Sequence, residues 1–254
     1  MRSKEGDAAL GARGGSRSGR CTDGLSRLGG IGALLSGLVF LVTVLHTFVY
    51  LARLGLNIEM LDQPRGLLPW IAANEGAYLG LWWIYLASLL CLLPVVPTLY
   101  RCTPAAGSAI ALVGAIAGLA GVVVGIVGAA TNAASASALG PAYPAADEVL
   151  RAQLVVLSEF FGSLQLYLRM FSDVLVGLWL LATGLAWMER PARWRARGGA
   201  LVAMSAAIAV MVASKSVGLF DLEPYLGLLT AEAYLWIGTI LLREAYVDLP
   251  HKTR

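Results

Sequence analysis

Five ionisable side chains stand where the surrounding sequence is otherwise apolar: His46, Arg169, Asp173, Lys215 and Glu232. Arg169 and Asp173 are four residues apart, so on a helix they share a face and can pair. An ionisable group at membrane depth costs several kcal/mol unless it is paired, wetted or close to the interface. Such a pair must therefore serve packing, binding or transport. A plainer reading has Arg169 reaching to the interface along its aliphatic stem, with Asp173 one turn below neutralising it. Histidine is the one residue type of the five that changes charge near neutral pH. A lone histidine near an interface also serves as a hydrogen-bonded packing residue, and both readings of His46 stay open.

The elements that must position these groups follow from composition. Of 254 residues, 58% are hydrophobic and only 14% charged, and the mean hydropathy is +0.72. A soluble domain carries about 25% charged residues, so this chain could not cover a soluble surface. Its apolar residues come in blocks of about 20, which at about 1.5 Å per residue spans roughly 30 Å of hydrocarbon. The expected fold class is all-α: a polytopic membrane bundle of six transmembrane helices, with a long fourth helix extending out of the membrane.

Residues 1–26, rich in Gly, Ser, Arg and Ala, read as a disordered tail, 27–243 as the membrane domain and 244–254 as a second tail. The apolar run that opens the membrane domain is too long for a cleaved signal segment. The spacing predicts spans near 28–52, 77–99, 107–130, 168–188, 198–219 and 225–242. Between the first two lies a 24-residue loop, and small residues over 131–144, with Pro141 and Pro144, predict another loop. From Ala145 to Met188 no proline intervenes. That length, about twice a membrane crossing, predicts one long or bent helix whose early half leaves the bilayer or lies along it. Tyr78, Trp82, Trp83 and Tyr85 are candidates for an interfacial aromatic belt. Pro94 and Pro97 are placed to kink the inner end of the second span.

Basic residues set the orientation. Fourteen lysines and arginines fall in the two tails, at Arg101 and in the turn from Arg190 to Arg197, against four on the opposite side. The positive-inside rule then places both termini in the cytoplasm of a multi-pass cell-membrane protein, and an even number of spans agrees. On that topology the five ionisable groups gather in the outer third of the bundle. The shared depth predicts an outward-facing polar pocket lined by His46, Arg169, Asp173, Lys215 and Glu232, with Tyr167 and Tyr234 as the nearest aromatic hydroxyls.

Other chemistry is poorly supported. The three cysteines offer no evident disulfide pair or metal spacing, and two histidines make a His-rich centre implausible. No Walker loop, nucleophile elbow or HExxH motif occurs, so no catalytic residue, cofactor or nucleic-acid role is expected. Gly114-x-x-x-Gly118 and Gly121-x-x-x-Gly125 let helices approach closely, either within the bundle or across a dimer.

The string GLWLLATGLAWMERPARWRARGGALVAMSAAIAV from Gly177, with RLGGIGALLSGL from Arg27, resembles a bacterial family of six-helix integral membrane proteins of unknown function. The likeness implies a fold and a cell-membrane location and brings no catalytic residues. The expected function is non-enzymatic: binding of a small or lipidic ligand from the outer side, or of a membrane partner. The alternative is a small transporter or proton-linked permease using Asp173, Glu232 and His46.

Overall fold

The computed structural model describes residues 23–57, 60, 63–102, 108–216 and 223–247, and among these there is no strand. The first helix, α1, covers Asp23–Leu45 and runs straight into a π-helical turn, His46–Leu51. A short helix α2 follows at Pro64–Ala73, with proline at its first position where no N–H is needed. The second apolar block divides into α3, Glu75–Leu92, and α4, Val95–Cys102. The interruption falls at Leu93–Pro94, where the proline expected to kink this span lies. Then come α5, Ala109–Ala145, α6, Glu148–Met188, α7, Ala192–Ser216, and α8, Glu223–Val247.

Five stretches are long and apolar enough to cross a membrane: Gly24–Leu51, Glu75–Arg101, Ala109–Ala145, Glu148–Met188 and Ala192–Ser214. The sixth expected span corresponds to α8, a 25-residue helix partly outside the described side chains and not among those five. The first helix begins at Asp23, earlier than expected, and the rest of the expected N-terminal tail lies outside the described residues.

The loop expected over 131–144 is instead the end of α5. Alanine, the best helix former, dominates this stretch, and both prolines fall within its last five residues. Ser135 and Ser137 donate to carbonyls three residues back, so their hydroxyls stay within the helix. Only Ala146 and Asp147 separate α5 from α6. Asp147 Oδ1 accepts from Leu150 N–H at 2.8 Å and starts the next helix. Arg151 Nη2 donates to Pro144 O at 3.1 Å, satisfying a carbonyl at the end of α5. At 37 and 41 residues, α5 and α6 are about 55 and 60 Å long, nearly twice the hydrocarbon thickness.

These helices pack in a ring: α1 on α3, α3 on α5, α5 on α6, α6 on α7, α7 on α8 and α8 back on α1. Glycines set the closest approach. A Cβ on Gly114 would stand 2.6 Å from Ala182 Cβ, and one on Gly118 would stand 2.7 Å from Trp179 Cγ. The small-residue stripe of α5 is therefore occupied inside the bundle, by α6. Serines bond the helices at intervals: Ser172 Oγ to Gly121 O at 2.8 Å, Ser205 Oγ to Gly177 O at 2.9 Å and Ser88 Oγ to Ser36 O at 3.0 Å. At one end of the ring α2 lies across the continuing α5–α6 hairpin. Leu67, Leu68, Trp70 and Ile71 of α2 are buried there with Ala136, Leu139 and Leu154. We call this the cap end.

Candidate functional site

The α5–α6 register fixes where Arg169 and Asp173 lie. Gly121 and Gly125 of α5 both approach Ser172, and Gly128 approaches Leu168. Arg169 therefore lies level with about Gly128 and Asp173 one turn further from the cap. Both side chains are half-buried, both take part in polar interactions, and Oδ2 of Asp173 is enclosed by protein. Asp173 lies within electrostatic reach of Tyr234 on α8, which in turn feels Tyr85 of α3. Phe40 of α1 completes the layer, edge-on to Tyr85 at 5.9 Å and to Tyr234 at 6.4 Å. Three helices thus share the cluster of Phe40, Tyr85 and Tyr234, with the Asp173 carboxylate of a fourth within electrostatic reach of it.

From this layer an aromatic ladder climbs to the cap. Tyr85 meets Trp82 at 6.3 Å, Trp82 meets Tyr78 at 6.2 Å, and Tyr78 meets Trp70 of α2 at 6.2 Å, all edge to face. Each such pair is worth about 0.5–1.5 kcal/mol beyond the area it buries. Trp70 Nε1 then donates to Leu54 O at 2.9 Å, tying the top of the ladder to the chain leaving the π-helical turn.

The belt assignment changes accordingly. Trp83 alone of the four aromatics is strongly exposed, at 62%, as a lipid-facing residue should be. Tyr78 is buried, and Trp82 and Tyr85 are half-buried in the ladder. The spacing 78, 82, 85 carried this signal, because steps of four and three keep to one helical face while position 83 turns away. Phe40 had no such signal, since apolar residues occur on every face of α1.

The remaining candidates are spread out. His46 opens the π-helical turn, half-buried, with Nε2 2.9 Å from Ala77 O and its ring 4.9 Å from Tyr50. It lies six residues, about 9 Å of helix rise, toward the cap from Phe40. Glu232 is exposed, two residues from buried Tyr234 and so on another face of α8. Lys215 falls in the last turn of α7, and its side chain lies outside the described residues. Of the two aromatic hydroxyls expected near the pocket, Tyr234 is buried within electrostatic reach of Asp173 and Tyr167 is 69% exposed.

The fold defines an all-helical protein with several helices able to cross a membrane. No family model, curated protein or solved structure matches the chain. The likeness carried by the strings from Gly177 and Arg27 therefore rests on those residues alone.

Proposed function

We propose that this chain is a multi-pass cell-membrane protein with six spans, both termini cytoplasmic and the cap end outside. It binds a small polar ligand or a lipid headgroup without catalysing a reaction. The lopsided distribution of lysine and arginine supports the orientation. On that orientation the last 17 or so residues of α5 and the first 20 of α6 stand clear of the outer leaflet. The single observation that carries the binding role is Asp173 within electrostatic reach of Tyr234, which shares the Phe40 ring with Tyr85, with Arg169 a turn nearer the outside.

A carboxylate flanked by phenols and a guanidinium offers acceptors, donors and both charges within a narrow space. Such a set recognises a ligand bearing an ammonium or several hydroxyls. Arg169 and Asp173 form its floor in this reading. His46, Lys215 and Glu232 are peripheral members in this reading, His46 lying about 9 Å nearer the cap and Glu232 exposed on another face of α8.

Native mass spectrometry of the protein in nanodiscs tests this. Wild type should retain a small-molecule or lipid adduct, and both Asp173→Asn and Tyr234→Phe should weaken it by roughly tenfold or more, about 1.4 kcal/mol. An unchanged adduct in both variants, or none in wild type across candidate amines and polyols, defeats the reading. A second reading, a proton-linked permease, draws on the π-helical turn at His46–Leu51, because such turns occur frequently at functional sites. Proton-driven flux in liposomes, abolished by His46→Ala, would favour it over binding.

A further inference from the structure

The face of α6 turned away from α5 repeats on its own period. Val149, Gln153, Val156, Phe160, Ser163 and Tyr167 follow one another at steps of four and three, the heptad spacing of a coiled-coil seam. Leu150, Leu157 and Leu164 flank that seam along one edge and widen it to the apolar stripe of a helix packed in a bundle. The opposite face, with Leu154, Val155 and Phe161, is already packed within the cap. The outer seam is open: Val149 is 70% exposed, Val156 63%, Phe160 61% and Tyr167 69%.

Lipid does not account for this exposure on the proposed orientation, since these residues lie on the cap side of Arg169. Water suits them badly. Between Gly128 and Leu168 only Asp147, Glu148, Arg151 and Glu159 are charged, about a tenth of the residues against about a quarter in soluble domains. The open apolar surface of the seam and its edge is on the order of 800 Å², comparable with the roughly 800 Å² each partner contributes to a standard interface.

We propose that this seam is the dimer interface between two copies of the chain, α6 lying parallel to α6 outside the membrane. Two copies in one bilayer share an orientation, so a twofold axis along the membrane normal brings identical helices together in register. That geometry stacks Phe160 on its counterpart and Tyr167 on its counterpart. Gln153 and Ser163 meet their own copies and penalise slipped registers, as polar residues at such positions do. The seam itself carries no charge, so identical faces meet without repulsion.

Crosslinking in native membranes tests the arrangement, using the full chain with Cys21→Ser, Cys91→Ala and Cys102→Ser. Val156→Cys and Phe160→Cys should each give an oxidised dimer. Gly162→Cys, where a new Cβ meets nothing within 4 Å, should give little. Mass photometry of the unmodified chain in nanodiscs should show dimers that Phe160→Lys weakens by roughly tenfold or more while the melting temperature stays within about 2 °C. A monomeric wild type, a dimer indifferent to Phe160→Lys, or crosslinking equal at all three positions overturns the proposal. Dimer loss with the Asp173-dependent adduct retained would leave the binding site standing and show the two to be separate.

Discussion

A glycine-to-alanine series along α5 tests the packing on which every placement above depends. At Gly114 the new methyl would stand 2.6 Å from Ala182 Cβ, about 1 Å inside ordinary contact. Ala182 has no rotatable side chain to move aside, so the helices themselves must separate. At Gly118 the obstacle is the Trp179 ring, 1% exposed and equally unable to swing away. Overpacking of this kind costs about 1–3 kcal/mol, and replacing a helical glycine recovers about 1 kcal/mol. The net loss at Gly114 or Gly118 is then up to about 2 kcal/mol. At Gly128 the nearest atom is 3.3 Å away and the two effects roughly cancel, while at Gly162 the site is open and alanine gains up to about 1 kcal/mol. A chain of this size shifts by about 2–4 °C per kcal/mol. Melting followed by tryptophan fluorescence should therefore order the variants Gly162→Ala, Gly128→Ala, then Gly118→Ala and Gly114→Ala, spread over up to roughly 10 °C. If Gly114→Ala melts with or above Gly162→Ala, the α5–α6 register is wrong and the level assigned to Asp173 fails with it.

Further outcomes follow from single contacts. Ser172→Ala removes the bond to Gly121 O and should cost about 0.6 kcal/mol, the average for such bonds between membrane helices, measured by the same melts. Trp70→Phe keeps an aromatic ring but loses the N–H donated to Leu54 O and part of a buried side chain, so hydrogen exchange over 54–74 should quicken by roughly tenfold or more, reflecting about 1 kcal/mol for the bond plus the lost packing. Arg151→Ala frees the carbonyls of Tyr143 and Pro144, and should quicken exchange over 141–151 without moving the global melt.

Much of this architecture was legible in the sequence because hydropathy in blocks of 20 records where backbone polar groups must be satisfied internally. Pro94 and Pro191 marked their breaks for the same reason, each denying the helix a donor. The stretch 131–144 reads as a loop because small residues and prolines look alike in a loop and in the last turns of an alanine helix. What distinguishes the two is the partner, since Ala136 and Leu139 are buried against α2. The site was half visible. Asp173 and Arg169 draw attention by charge and depth places Tyr234 near them, but nothing in the chain says that Tyr85 and Phe40 share their layer. That convergence joins residues from four helices, and no local period encodes it. Depth alone also grouped Glu232 with Asp173, although depth says nothing about which way a helix face turns.

The two-residue link at Ala146–Asp147 gives the molecule a mechanical property. Two stiff rods joined so tightly, and stapled by Arg151, have no slack with which to absorb a pull at the tip. A load applied there passes along both helices into their shared contacts, from α2 at the cap to the Ser172 bond on Gly121, one residue from Asp173.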